Sequence, residues 1–106
     1  MEREEIVSQL GGIKLKNINL TGITLPDEFQ KKYEEDNEFM EALLMYLTTN
    51  KDPMAKEHLL EEFCDTIQVR LSIMKILGID IEEITEHWNT KHLEKLKLRP
   101  REKGTE

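Results

Sequence analysis

The chain has one cysteine, Cys64, among its 106 residues. A single cysteine excludes an internal disulfide and any zinc site built from cysteines, and it is typical of a reducing compartment. No apolar run approaches the length of a membrane span, and residues 1–5 lack the apolar stretch of a signal peptide. The sequence therefore predicts a cytoplasmic protein with no membrane partner.

Excess positive charge is also lacking, since the formal net charge is −7. This balance argues against a general nucleic-acid binder. The charge is uneven, because residues 91–106 sum to +3 and the rest of the chain to −10. The basic end is either a solubilising tail or a segment that binds phosphate near an acidic metal site. Hydrophobic residues make up 38% of the chain, which is low for a monomer of this size that folds alone.

The first 25 residues carry weak local signals. Residues 2–10 suggest a short helix that ends at Gly11-Gly12. From Ile13 to Leu25 apolar and polar residues alternate, with a turn signal at Thr21-Gly22, which predicts an extended arm or a small hairpin.

The next residues predict three helices. Pro26 and Asp27 begin a helix that runs to about Thr48. Asp52 and Pro53 begin a second, which Gly78 ends near Leu77. A third runs from about Ile81 to Lys97 after the capping residue Asp80 and ends before Arg99-Pro100, and it contains Trp88 as a predicted core residue.

Apolar residues at helical spacing predict the buried faces. The predicted core face of the first helix is Phe29, Tyr33, Met40, Leu43, Leu44 and Leu47. The predicted core face of the second is Leu59, Leu60, Phe63, Ile67, Leu71 and Met74, with Cys64 buried among them. Val69, Ile73 and Ile76 make the second half of that helix apolar nearly all round, so we expect a second subunit to cover it.

A pattern of two glutamates followed by a third acid occurs twice. The two copies, 27 residues apart, are Glu34, Glu35 and Glu38, then Glu61, Glu62 and Asp65. Residues three or four apart share a helix face, so each copy gathers three carboxylates on one patch. Two such helices packed together would offer hard oxygen ligands that suit Mg²⁺ and hence phosphate chemistry.

Each acidic patch lies on a helix face whose following residues are apolar. At about 100° per residue, Glu62 and Asp65 align with Val69, Ile73 and Ile76. The first patch aligns with Ala42, Met45 and Tyr46. Carboxylates at the edge of a buried seam need compensation, and a cation is the simplest one. The alternative is a pair of solvated acidic surfaces, which are common in a chain with 35% charged residues.

The order of these motifs resembles a known family. The two acidic motifs are followed by Leu77-Gly78-Ile79-Asp80, then Asn89-x-Lys91, then Arg99. This order is similar to that of the MazG-like nucleotide pyrophosphohydrolases, within the all-α NTP pyrophosphatase superfamily. The resemblance covers residues 26–101, which leaves an N-terminal arm, 1–25, and a tail, 102–106. Two departures are Phe63-Cys64, where many members have a glycine, and Arg99-Pro100, where many have Arg-Gly.

The resemblance implies roles for individual residues. Glu35, Glu38, Glu62 and Asp65 would be the catalytic ligands of Mg²⁺, with Mn²⁺ as the alternative ion. Glu34 and Glu61 would be supporting or second-metal carboxylates. Asn89, Lys91 and Arg99 would bind the phosphates of the substrate, with Lys95 as a possible substitute for Lys91.

The resemblance also implies a reaction and a fold. Members hydrolyse a nucleoside triphosphate to a nucleoside monophosphate and pyrophosphate. The expected fold is an all-α helical bundle completed by homo-oligomerisation, as a dimer or tetramer, with a short irregular or extended N-terminal arm. The alternative function is a catalytically degenerate helical dimer that acts as a binding or regulatory module.

Overall fold

A computed structural model of the chain describes residues 7–10 and 13–98. The helical elements are α1 (Leu25–Thr48), α2 (Pro53–Ile76), α3 (Ile81–His87), a π-helical turn (Trp88–His92) and α4 (Leu93–Leu98). Two short strands precede them, β1 (Val7–Leu10) and β2 (Ile13–Lys16). The described part of the chain is mostly helical, which confirms the predicted class. None of its helices has the length and apolar character that crossing a membrane requires.

The two strands form an antiparallel hairpin in which Val7 pairs with Lys16 and Leu10 with Ile13. The predicted helix over residues 2–10 is therefore wrong for residues 7–10, and the rest of that prediction lies outside the described residues. A helix of nine residues is marginal in isolation, whereas pairing with β2 supplies backbone hydrogen bonds to β1.

The predicted turn at Thr21-Gly22 is present. The amide of Ile23 donates to the carbonyl of Leu20 at 2.9 Å, and Gly22 has φ +80°. Glycine suits the third position of such a turn because it has no Cβ to clash at positive φ. No described strand pairs across this turn, so the hairpin lies earlier in the chain than the alternation from 13 to 25 suggested.

The chain divides into two units, and residues 17–78 form the one that contains α1 and α2. The other unit holds the hairpin and the segment that begins at residue 79. In that second unit β1 lies against α3, and Ile81 is buried.

Local caps determine where the two long helices begin. The Thr24 hydroxyl accepts from the amide of Asp27 at 3.2 Å, and the Asp27 carboxylate accepts from the amide of Thr24 at 3.0 Å. The carboxylate of Asp52 accepts from two amides at the start of α2, at 3.0 and 3.2 Å. Between the helices, Asn50 and Lys51 have φ of 59° and 62°, and this left-handed pair reverses the chain direction.

Helices α1 and α2 pack as an antiparallel pair. Asp36 and Arg70 form an ion pair between them, with 3.1 Å between Oδ1 and Nη1. The rings of Phe39 and Phe63 are 6.1 Å apart. The residue number therefore rises along one helix as it falls along the other, as the four-residue connection requires.

The seam between these helices follows a seven-residue repeat. The positions in this repeat are Glu28, Glu35 and Ala42 on α1, and Ala55, Glu62 and Val69 on α2, while α2 also buries Thr66, Leu71 and Ser72 outside it. Residues seven apart in a helix lie on nearly the same face. Three of these six core positions hold a carboxylate, which is unusual for a helix seam.

The predicted core face of α1 is wrong for the single chain. Five of its six residues are 49–68% exposed and form one narrow stripe, whereas Leu43 is half-buried. The stripe consists of Phe29, Tyr33, Met40, Leu44 and Leu47. On α2, Leu60 and Phe63 are also exposed. Cys64 is exposed as well, which corrects the predicted burial of its side chain. The buried residues of α1, Glu28, Glu35 and Ala42, lie on a different face of the helix, so the side chains of the stripe are left at the surface.

The third predicted helix is interrupted. Its start at Ile81 after Asp80 agrees with the expectation, and the Glu83 carboxylate accepts from the amide of Asp80 at 3.0 Å. The π-helical turn then inserts a different hydrogen-bond pattern. Within it the rings of Trp88 and His92 lie 4.4 Å apart, and Trp88 is half-buried where the sequence predicted core.

The Asp36–Arg70 pair gives a prediction about stability. Hydrogen bonds from Lys32 and Arg70 lower the pKa of Asp36 below its usual value. Because both partners are partly exposed, Arg70→Met should reduce the free energy of unfolding by only about 0.5–1 kcal/mol at pH 7. The stabilisation by this pair is present above the unfolded pKa of aspartate, about 3.9, and is lost as the pH falls through the lower folded pKa.

Urea unfolding of the wild type and Arg70→Met at pH 7 and at pH 2 measures this difference. Lys56→Met is the control, because it removes an exposed cation from α2 at a distance from Asp36. A difference that persists unchanged at pH 2 would show that the ion pair is not its source.

Candidate metal centre

Three carboxylates converge on the seam between α1 and α2. One carboxylate oxygen from each of Glu35, Glu62 and Asp65 lies within 4.8 Å of the other two. Glu35 is a seam position of α1, while Glu62 and Asp65, three residues apart, share a face of α2. The antiparallel register of the helices brings the two faces together at this level.

Two of these carboxylates have oxygens with no protein partner. Glu35 and Glu62 are 6% and 9% exposed, and the Oε1 atom of each is buried without a hydrogen bond. A buried, unpaired carboxylate oxygen is costly, because it loses hydration and gains nothing in return. These two atoms therefore indicate a group that the protein itself does not supply.

Among the described residues, the cationic side chain of Lys31 lies at the cluster. Lys31 Nζ is 2.9 Å from Oε2 of Glu35, one helical turn away. A hydrogen bond and the charge of Glu35 raise the pKa of Lys31. On α2, Nδ1 of His58 lies 3.9 Å from Oε2 of Glu62, which is too long for a hydrogen bond.

Glu38 lies at the exposed edge of the cluster. Repulsion from Glu35 is the largest cause that raises its pKa, followed by desolvation and by the approach of Glu62. The carboxyl group of Glu38 therefore lies close enough to be influenced by two members of the cluster, although it is not among the three that converge.

Glu34 and Glu61, predicted as supporting carboxylates, are exposed and do not belong to the converging group found in the described residues. Glu34 accepts a long hydrogen bond of 3.4 Å from Gln30 on its own helix. Each lies about 100° round its helix from the neighbour that does converge, and that rotation points it away from the seam.

The predicted phosphate-binding residues belong to the other unit. Asn89 and Lys91 are exposed in the π-helical turn, and Lys95 is exposed on α4. Arg99 lies outside the described residues. Their predicted role in binding phosphate stays a prediction.

A cleft of about 500 Å³ opens beside the carboxylates in the α1–α2 unit. Glu35, Asp65 and Lys31 line one part of it. The other lining residues are Ile18, Ile23, Glu28, Gln68, Val69 and Ser72. Its volume is in the usual range for small-molecule sites. The sequence analysis predicted neither the apolar residues of this cleft nor Lys31. The position of Lys31, four residues before Glu35, could have indicated its contact with that carboxylate.

The donor set suits a hard divalent cation. Carboxylate oxygens are the preferred ligands of Mg²⁺, Mn²⁺ and Ca²⁺. Oxygens on opposite sides of a Mg²⁺ ion are about 4.2 Å apart, so small side-chain movements would bring these three to bonding distance. The two unpartnered oxygens are the atoms that such an ion would satisfy.

No match was found when the chain was compared with protein families, with curated proteins and with solved structures. The resemblance to MazG-like enzymes therefore stays a prediction from the motifs.

Melting temperatures test the centre without knowledge of a substrate. Mg²⁺ that binds only the folded state stabilises it by about 2.7 kcal/mol at 100 times the Kd, a shift of several degrees. Glu62→Gln removes a ligand and a repelling charge together. The variant should be at least as stable as the wild type in EDTA, and its shift with millimolar MgCl₂ should be smaller.

Glu57→Gln serves as the control, since it removes one exposed charge from the same helix. At constant ionic strength its Mg²⁺ shift should equal that of the wild type. Equal small shifts in all three proteins are what a solvated acidic surface would give, and they would rule out the centre.

Proposed function

We propose that the protein hydrolyses nucleoside triphosphates to nucleoside monophosphates and pyrophosphate, with Mg²⁺ held by Glu35, Glu62 and Asp65. The observation that carries this proposal is the pair of buried, unpartnered oxygens, Oε1 of Glu35 and Oε1 of Glu62, within a group of converging carboxylates. Buried negative charge of this kind is maintained where a cation binds. The motif order that resembles MazG-like enzymes supports the choice of reaction.

The bound ion would offset negative charge on the triphosphate and polarise the phosphorus–oxygen bonds around the phosphorus under attack. Glu35 on α1 and Glu62 and Asp65 on α2 would hold the ion. Glu38 remains exposed beside them, so water can reach its carboxylate. We assign Glu38 the orientation of the attacking water and the acceptance of its proton.

The remaining parts of the substrate need cations and an apolar wall. Binding of phosphate by Asn89, Lys91 and Lys95 stays a prediction from the motif order, in which the positive charge of the two lysines would stabilise a leaving pyrophosphate. Ile18 and Ile23 give the cleft an apolar side. This side suits the base and sugar, which carry no net charge.

A second copy of the chain is proposed to cover the exposed apolar stripe of α1. The stripe runs along most of the helix, from Phe29 to Leu47, and stripes of this size on a monomer are typical of an interface. The resulting homo-oligomer would supply the hydrophobic core that 38% hydrophobic residues leave small in one chain.

The same stripe favours one alternative, a helical module that binds another protein. In that case the carboxylates would have no catalytic role. Activity separates the two proposals, because a binding module would release no pyrophosphate.

The wild type should release pyrophosphate from at least one ribo- or deoxyribonucleoside triphosphate when Mg²⁺ or Mn²⁺ is present. Glu62→Gln or Asp65→Asn removes one ligand charge, and the rate should fall by on the order of 10²-fold or more. The assay couples pyrophosphate release to inorganic pyrophosphatase, and Glu57→Gln should keep wild-type activity. Absence of release across all common triphosphates would contradict the enzymatic proposal.

The oligomer can be tested by light scattering at micromolar concentration. Leu44→Glu puts a charge into the middle of the stripe, so the assembly should dissociate. Because Leu44 is exposed in the single chain, the variant should retain helical content. Met54→Glu adds the same charge at an apolar position of α2 that is 80% exposed and outside the stripe, and it should leave the mass unchanged. A wild type that is a stable monomer would refute the proposal.

A further inference from the structure

Lys31 forms an ion pair with one carboxylate of the cluster. Its Nζ lies 2.9 Å from Oε2 of Glu35, while Oε1 of the same carboxylate is buried without a partner. The Lys31 side chain is 54% exposed and also lines the cleft beside Asp65. It therefore touches both the carboxylate cluster and the space where a substrate would lie.

The next residue forms a similar pair elsewhere. Lys32 Nζ is 2.8 Å from Oδ2 of Asp36, again one turn along α1. Asp36 is not among the converging carboxylates, and Arg70 balances its charge from α2. Two adjacent lysines thus make the same kind of ion pair, and only Lys31 makes it with a member of the cluster.

We propose that Lys31 is the internal counter-ion of the carboxylate cluster, which a divalent cation displaces from Glu35, and that the released ammonium group then binds the phosphates of the substrate in the cleft. This inference rests on the proposed function for the identity of the cation and the triphosphate. It adds Lys31 to the substrate-binding residues and assigns it a second role in the absence of metal.

The replacement of Lys31 by a divalent cation at Glu35 is expected from the charges of the groups involved. Without a cation, Lys31 offsets part of the repulsion among Glu35, Glu62 and Asp65. Lys31 contacts Oε2 of Glu35, and a divalent ion on Oε1 of the same carboxylate would neutralise its charge and repel the nearby ammonium group. Since the lysine side chain is long and half-exposed, it can turn into the cleft, where a triphosphate that shares the cation needs positive charge.

Two effects of opposite sign are therefore expected in Lys31→Met. A positive charge beside Glu35 that repels the ion is lost, so metal affinity should rise, by roughly three- to tenfold for a partly screened pair. A phosphate contact is also lost, so the affinity for inorganic triphosphate at saturating Mg²⁺ should fall about tenfold. Lys32→Met, the matched control, should show neither effect.

The experiment measures Mn²⁺ affinity from the electron paramagnetic resonance signal of the free ion, and Mg²⁺ affinity by competition. Calorimetry measures the binding of inorganic triphosphate, which needs no knowledge of the base. Lys31→Gln is made in parallel, because it retains a polar side chain if Lys31→Met does not fold.

Tighter metal binding with weaker triphosphate binding, confined to the Lys31 variants, is the expected result. Unchanged or weaker metal affinity in those variants would overturn the counter-ion role, and unchanged triphosphate affinity would overturn the transfer to phosphate. In both cases the proposed function would stand. A wild type that binds neither Mn²⁺ nor Mg²⁺ would overturn the proposed function itself, and with it this inference.

Discussion

The main physical constraint on the α1–α2 unit is the negative charge that is buried on the seam between its two helices. Glu35 and Glu62 occupy positions that an apolar residue would hold in an ordinary helix pair, and Asp65 adds a third carboxylate. Three like charges at one level repel each other, and two of their oxygens lack partners. We therefore expect the pairing of the helices at this point to be stabilised by positive charge, which Lys31 supplies and a bound cation would add.

The acidic seam and the apolar stripe lie on different faces of α1. The helices contact each other through a seam that is rich in acids, and the apolar stripe of α1 faces outward. Beyond the acidic level, Phe39 packs near Phe63 and Asp36 pairs with Arg70, so apolar and ionic contacts hold the register. A two-helix pair of this kind buries too little apolar surface to be stable by itself, which is the physical basis for expecting a second copy on the stripe.

Prediction from the sequence was best where the determinants are local. Asp52, Pro53 and Gly78 act through their own backbone geometry, so the bounds of α2 were readable. The strand at 7–10 depends on pairing with β2, and the π-helical turn depends on a single altered hydrogen-bond pattern. Neither the strand nor the π-helical turn can be recognised from amino-acid composition or from the periodicity of hydrophobic residues. The burial of Cys64 was predicted from apolar neighbours in sequence, but neighbours on one helix do not decide which face a second helix covers.

The sequence by itself determined the helical class and the grouping of acids on one face of each of two helices, because period and capping are properties of a single segment. Only the tertiary structure decided that Glu35, Glu62 and Asp65 converge while Glu34 and Glu61 stay exposed, and that Lys31 lies against the cluster. Spacing fixes the angle between residues on a helix. It does not fix how far that helix is rotated about its axis against its neighbour, and here that rotation turned the acids toward the seam and the apolar stripe of α1 toward the surface.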